Sequence, residues 1–135
     1  MPIEPHEVDN FGAGGIAAAI DEHGVLGIGV AADIRQGSFT HHPDTGSRIQ
    51  NNRVPFYSES VRICKTAHRS FPEIPGIGWD VAITPDGPVL LEGNHNWGTD
   101  ITQIPSGVPL GATKFVPWAL EHLQWLQNHA RQQQR

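Results

Sequence analysis

Two acidic side chains and one amide, Asp80, Glu92 and Asn94, lie close together in the chain. Their oxygens are hard ligands of the kind that Mg²⁺ or Mn²⁺ prefers. Mg²⁺ usually takes few protein ligands and completes its shell with water and substrate phosphates. The residue types therefore predict a cation site that faces a surface open to phosphate groups.

The segment around these residues, 78–94, is expected to fold as two antiparallel strands on a three-residue turn closed by a left-handed Gly87. This turn makes Asp80 oppose Glu92. Because side chains alternate along a strand, Asp80, Ala82, Leu90, Glu92 and Asn94 are expected to share one face. The other face is expected to point into a core with Trp79, Val81, Ile83, Val89 and Leu91. Directly opposed carboxylates repel each other, and a divalent cation between them would remove that repulsion.

A simpler interpretation stays open on pattern alone. Asp80 and Glu92 would then be ordinary solvent-facing strand residues, paired with arginines, and Asn94 would only end the strand. A register shift of one residue would also place the proposed ligands on opposite faces.

A glycine-rich segment at residues 10–15, Asn-Phe-Gly-Ala-Gly-Gly, offers backbone N–H groups that could bind an anion. The expected strand after it excludes a dinucleotide fingerprint or a P-loop, which both lead into a helix. The alternative is that these glycines only allow a tight turn.

The histidines and the single cysteine do not predict a further site. His41 and His42 are adjacent, so their side chains diverge, and His95 is isolated, so no zinc spacing is present. Cys64 falls on the inward side of a predicted helix, where it is expected to pack as a small hydrophobe.

The elements that must position these residues indicate an α+β fold, an antiparallel sheet with packed helices. Apolar runs at 16–20 and 25–32 flank a turn and predict a hairpin. A polar loop is expected over 36–55, followed by a helix from an N-cap at Ser58 to about Ser70. Helical spacing of apolar residues predicts a C-terminal amphipathic helix over 113–130.

Composition excludes several classes of protein. The 135 residues, 38% of them apolar, suit a single domain with a hydrophobic core. A formal charge of −5 argues against nucleic-acid binding, and one cysteine rules out an intrachain disulfide. The polar start of the chain does not resemble a signal peptide, and no apolar run would span a membrane. A cytoplasmic protein without nucleic-acid or membrane partners is expected.

The string from Gly78 to Asn94, Gly-Trp-Asp-Val-Ala-Ile-Thr-Pro-Asp-Gly-Pro-Val-Leu-Leu-Glu-Gly-Asn, resembles the closing motif of ATP-grasp enzymes. It is similar to the branch described as sugar-transfer-associated ATP-grasp or alpha-L-glutamate ligase-related proteins, and the resemblance covers residues 8–110. It implies that Asp80, Glu92 and Asn94 hold the magnesium ions that bridge the ATP phosphates, and that the fold is that of the C-terminal ATP-grasp lobe.

The resemblance also implies roles outside the hairpin. Asn10, Gly14 and Gly15 would lie beside the reacting phosphate and the acceptor, with the two glycines among the cofactor-binding residues. Many relatives carry an arginine two residues before the metal-binding Asp, where this chain has Gly78. Phosphate charge would then be neutralised by other basic residues, and Arg53 is assigned with Asn10 to the catalytic group. The full set of basic candidates is Arg35, Arg48, Arg53 and Lys65.

The implied reaction is ATP-dependent activation of a carboxylate as an acyl phosphate, followed by attack of an amine. Its cofactors would be ATP and Mg²⁺ or Mn²⁺, and its substrates a small carboxylate and an amine. Lys65 and Lys114 are the only lysines in the sequence, which is few for a complete phosphate-binding site. The chain is therefore expected to be a partial, truncated ATP-grasp domain over 1–135 that is inactive alone. A missing N-terminal lobe or a homo-oligomer would complete it. The alternative is a non-catalytic binding or interaction module with a vestigial cation site.

Overall fold

The computed structural model describes residues 11–133. These residues divide into two compact units, one containing residues 11–54 and Asp100–Gly107, the other containing Pro55–Thr99 and residues 108–133. The helices and antiparallel strands confirm the predicted α+β class. They are β1 Ile16–Ile20, β2 Leu26–Ala31, β3 Ser38–Phe39, α1 Tyr57–His68, β4 Gly78–Thr84, β5 Gly87–Asn94, α2 Asp100–Ser106 and α3 Phe115–Gln133.

The first unit is a three-stranded antiparallel sheet in the order β1-β2-β3, with α2 packed on β1 and β2. The predicted hairpin is confirmed, and its turn is closed by Gly24 with φ +79°. The segment 36–55, which was expected to be a polar loop, contains β3. Asn52 in the same segment accepts a backbone hydrogen bond of 2.8 Å from Leu26 N of β2. α2 also lies in a stretch expected to be a loop. Its first residue is acidic, which suits the positive end of a helix.

The expectation of a sizeable hydrophobic core is wrong for the described residues. Ala31, with 1% of its surface exposed, is the only apolar side chain among them that is fully buried. Larger side chains on both units keep much of their surface in solvent, as with Leu91 at 65% and Leu120 at 55%. Thin two- and three-stranded sheets with single helices against them leave most apolar side chains only half covered.

In the second unit, α1 packs against β5. The helix begins one residue before the predicted N-cap, so the assignment of Ser58 as N-cap is wrong. Phe56 occupies that position with left-handed backbone, φ 55° and ψ 23°, and its side chain makes no capping hydrogen bond. After the helix, the ring Nε2 of His68 and the backbone oxygen of Ile74 form a hydrogen bond of 2.9 Å, which closes the connection toward β4.

The β4–β5 hairpin turns more tightly than predicted. Thr84 pairs with Gly87, so the loop holds two residues, and Gly87 has φ +122°. Val81 pairs with Leu90, and the next pair along the strands is Asp80 with Glu92, so Leu91 forms a bulge in β5 and has no partner in β4. The predicted pairing of Asp80 with Glu92 is therefore confirmed. The bulge adds the one residue that the shorter turn omits, so the pairing of the two carboxylates is the same.

The tighter turn changes which apolar residues share a face. Ala82 pairs with Val89 and Val81 with Leu90, so Val89 and Leu90 have exchanged the faces expected for them. The expected burial of three residues is also wrong, because Ile83, Val89 and Leu91 are 39%, 48% and 65% exposed.

The C-terminal helix α3 begins where the Thr113 hydroxyl accepts a hydrogen bond from the N–H of Phe115. Pro117 lies in its first turn, where a backbone N–H has no helical partner in any case. Phe115 packs on Trp97 at 6.0 Å between ring centroids, and Nε2 of His122 lies 2.9 Å from the backbone oxygen of Glu73. Within the described part of the chain, no helix has the length and apolar character needed to cross a membrane.

Candidate metal and phosphate site

The carboxylates of Asp80 and Glu92 lie side by side on one face of the β4–β5 hairpin. The two residues are direct cross-strand partners, and both are exposed. Asn94 follows two residues after Glu92 and therefore projects to the same side of β5. Its Nδ2 donates a hydrogen bond of 2.9 Å to Oε1 of Glu92. The structure thus brings together the three side chains that the sequence selected.

The electrostatics of this face show the cost of opposing two acids. The pKa of the Asp80 carboxyl lies above its ordinary value, because the surrounding chain partly removes it from water. A side-chain hydrogen bond with Glu92 and the negative charge of Glu92 raise it further. No ion pair with lysine or arginine involves either acid within residues 11–133. The arginine pairing of the simpler interpretation is therefore not found, and positive charge from a ligand would be favourable here.

The donor set fits a hard divalent cation. Two carboxylates supply negative charge, and the Asn94 amide, which donates through Nδ2, leaves its carbonyl oxygen available. Within the described residues, no group of three or more His, Cys, Asp or Glu side chains is placed to hold a metal ion. The third ligand oxygen at this face would therefore come from the amide, and the rest of the shell from water or phosphate.

The hairpin is held in register from its opposite face. Trp79 is the cross-strand partner of Gly93, and its ring covers the glycine so closely that an added Cβ would lie 2.5 Å from Cζ3. The ring also packs against His68 and Phe71, with centroids 6.3 and 6.4 Å away. Sequence reasoning missed this support. The signal was available, since an aromatic residue opposite a strand glycine is a known way to fix register.

Those of the remaining predicted site residues that the structure describes belong to the first unit. Gly14, with φ +103°, and Gly15 connect a 3-10 turn to β1, and Gly14 N donates to Phe11 O at 3.3 Å. Arg53 donates from Nη1 to the backbone oxygen of His23 at 2.9 Å. Its backbone also forms an isolated antiparallel β-bridge with Val25. Its guanidinium thus helps hold the turn between β1 and β2. The prediction for Asn10 lies outside the described residues.

The other basic candidates differ in how far they are already engaged. Arg35 binds Asp33 through two hydrogen bonds of 2.9 and 3.0 Å, which raise the pKa of the arginine and lower that of the aspartate. Arg48 donates from Nε to Gln50 O at 2.9 Å. Lys65 lies on the exposed side of α1, and no ion pair involves it within residues 11–133.

Comparison with known families decides the affiliation of the chain. The model of the family described as sugar-transfer associated ATP-grasp matches residues 1–114, which include Asp80, Glu92 and Asn94. The chain belongs to the sugar-transfer associated ATP-grasp family. Membership of the ATP-grasp group implies in general the use of ATP and a divalent metal ion. Comparison with curated proteins and with solved structures gave no match.

Proposed function

We propose that this ATP-grasp chain provides the magnesium- and phosphate-binding part of an ATP-dependent carboxylate–amine ligase, with Asp80, Glu92 and Asn94 as the metal ligands. The observation that carries the proposal is the opposition of two exposed carboxylates with no neutralising lysine or arginine on the described chain. Like charges placed opposite each other in a sheet are unfavourable. A chain of the ATP-grasp family has a functional reason to bear that cost.

Each ligand has a separate task in this proposal. Asp80 and Glu92 would bind from neighbouring strands, whose pairing brings both carboxylates to one face of the sheet. Asn94 orients Glu92 through its 2.9 Å hydrogen bond and presents its own carbonyl oxygen. A divalent ion held by these three residues would supply positive charge that offsets the phosphate charge during phosphoryl transfer. Catalysis of this kind depends on positioning and electrostatics and needs no protein nucleophile.

The same face has an apolar part that suits a nucleotide site. Val89 pairs with Ala82 on the acidic side of the hairpin, and Val89 is 48% exposed. Ligand sites combine apolar contact area with a few placed polar groups, and this face has both. We therefore propose that the ATP phosphates approach the acids while a less polar part of a ligand or of another chain segment covers Val89.

The proposed site is one part of a complete active site. Lys65 and Lys114 are the only lysines in the chain, and phosphate groups are commonly held by several cationic side chains. We propose that further cations come from a lobe or subunit that completes the nucleotide grip. The Gly14-Gly15 segment, Arg53 and Asn10 remain candidates for contacts with phosphate or acceptor.

A second function is favoured by the position of Asp80 directly opposite Glu92, where partial burial and the neighbouring acid raise the pKa of Asp80. A carboxyl and a carboxylate that share a proton can lie side by side without a metal ion. The chain would then be a binding module with a vestigial cation site. The two functions differ in whether a cation binds at these three residues.

Titration of the full chain with Mn²⁺, followed by electron paramagnetic resonance of the free ion, tests the metal site. The wild type is expected to bind Mn²⁺ and to release it to Mg²⁺. Glu92→Gln is expected to lower the affinity roughly tenfold or more, because the site loses one of its two negative charges. Asp86→Asn is the matched control, since it removes an exposed acid at the other end of the same hairpin. Equal affinities for the wild type and Glu92→Gln would exclude the assigned ligands.

A second titration tests whether this chain alone binds ATP tightly. Binding of a non-hydrolysable ATP analogue to the isolated chain, measured by calorimetry in the presence of Mg²⁺, is expected to be weak. Tight binding would show that the chain holds the nucleotide unaided. If Mn²⁺ does not bind at Asp80, Glu92 and Asn94, the binding-module alternative would be favoured instead.

A further inference from the structure

A groove runs along α1 on the second unit and is not used by the proposed ligase site. Its larger part is a cavity of about 540 Å³ lined by Cys64, Lys65, His68, Arg69, Pro72 and Trp79. A second depression of about 290 Å³ extends toward the start of α1 and is lined by residues that include Arg62. Lys65 and Arg69 line both. The two depressions therefore form one continuous surface, called here the α1 groove.

The α1 groove and the acidic face lie on opposite sides of the hairpin. Trp79, which lines the groove, immediately precedes Asp80 in β4. Successive side chains of a strand point to opposite faces. A ligand in the groove would therefore not be in contact with the cation site, and the proposed phosphate chemistry does not account for the groove.

The charge of the groove is opposite to that of the chain. Arg62 and Lys65 lie on α1, and Arg69 caps its C-terminus with helical backbone angles. The three residues are spaced three and four apart, so they lie in one row, and all three are exposed. Arg62 is partly neutralised by Glu59 at 3.5 Å. For Lys65 and Arg69, no acidic partner lies within ion-pair distance among residues 11–133. In a chain of net charge −5, this row is a local positive surface.

The spacing of the cations indicates the shape of the ligand. With a helical rise of about 1.5 Å per residue, the three side chains are about 4.5 and 6 Å apart along the axis. Alternate side chains of an extended peptide are separated by about 6.6 Å, which is a similar interval. A row of cations at this interval is complementary to an extended chain that carries several acids.

The groove also offers apolar contact. Trp79 and Pro72 give it an apolar wall beside the cations. A bound chain segment could therefore pack on this wall while its polar groups face the cations.

We propose that the α1 groove docks an extended acidic segment of a partner protein. Alternate acidic side chains of the segment pair with Lys65 and Arg69, and the stretch between them packs along Trp79 and Pro72. The interaction is electrostatic in large part, so it weakens as salt screens the exposed charges. The groove is then an interaction surface that links this ATP-grasp chain to another protein.

The test uses the full chain and fluorescence anisotropy of a fluorescein-labelled peptide in which glutamate alternates with serine. The matched peptide has glutamine in place of glutamate. Lys65→Gln/Arg69→Gln is expected to weaken binding of the acidic peptide by about fivefold, the size expected for two exposed ion pairs. Lys114→Gln/Arg131→Gln removes the same charge from exposed sites outside the groove and is expected to leave affinity unchanged. Circular dichroism checks that both double variants keep their helices.

Several outcomes would overturn the proposal. These are equal binding of the glutamate and glutamine peptides by the wild type, equal losses in the two double variants, and tighter binding of a twelve-nucleotide single strand than of the acidic peptide. Asp80→Asn is expected to abolish Mn²⁺ binding and to leave peptide binding intact. The docking proposal and the proposed ligase site therefore fail independently.

Discussion

Gly93 separates Glu92 from Asn94, and its replacement by alanine tests how the hairpin is held. A Cβ at this position would lie 2.5 and 2.8 Å from Cζ3 and Cε3 of Trp79 and 3.0 Å from Cγ2 of Ile77. The Trp79 ring cannot move away freely, because His68 and Phe71 pack against it. Either the ring or the strand must therefore shift.

The magnitude follows from two opposing effects. Overpacking of one methyl group against an immobile neighbour costs about 1–3 kcal/mol. Gly93 has no positive φ, so alanine is allowed there and recovers about 0.4–1 kcal/mol by restricting the unfolded chain. The difference is a net loss of about 0–2.6 kcal/mol in the free energy of unfolding, and the midpoints of the two ranges give about 1.3 kcal/mol.

Urea unfolding followed by circular dichroism measures this loss. Gly111→Ala is the matched control, because Gly111 also has no positive φ and no atom lies within 4 Å of its added Cβ. It is expected to be neutral or slightly stabilising. The penalty of Gly93→Ala should shrink in a Trp79→Ala background, since the clashing ring is gone. If Gly93→Ala were as stable as Gly111→Ala, the close packing of Trp79 on Gly93 could not be what holds the register.

Two further predictions concern acidic residues. Asp80→Asn removes one of two opposed carboxylates, so it is expected to raise the free energy of unfolding, measured in urea, by about 0.2–1 kcal/mol. The same variant is expected to abolish Mn²⁺ binding. Destabilisation would mean that the two acids do not repel each other in the folded chain. Asp21 accepts hydrogen bonds from the N–H groups of Val25 and His23, which lower its pKa. Its contribution to stability is therefore complete above the unfolded pKa of about 4 and is lost as the pH falls through the lower folded pKa. As the pH is lowered from about 5 to 2, the melting temperature should fall less steeply for Asp21→Ala than for the wild type. An unchanged slope would contradict this assignment.

The sequence predicted those features that depend on local pattern. The β1–β2 hairpin follows from two apolar runs around a turn, and α1 from the spacing of its apolar residues. The start of α1 was missed because capping preferences favour Ser58, whereas the helix begins after a left-handed Phe56. β3 and α2 were also missed. Both are short, and contacts with β2 or with the β1–β2 sheet stabilise them more than their own sequence does.

The pairing of Asp80 with Glu92 was predicted correctly although the turn between the two strands was not. The predicted three-residue turn and the observed two-residue turn with a bulge at Leu91 place the same two carboxylates opposite each other. They differ for the residues between the turn and the bulge, where Val89 and Leu90 exchange faces. No pattern of apolar residues distinguishes Val89 from Leu90, so the sequence could not fix that exchange. The acids lie beyond the bulge, where Trp79 covers Gly93. This packing holds the strands in the register that pairs Asp80 with Glu92, so the error in the predicted turn did not separate the proposed metal ligands.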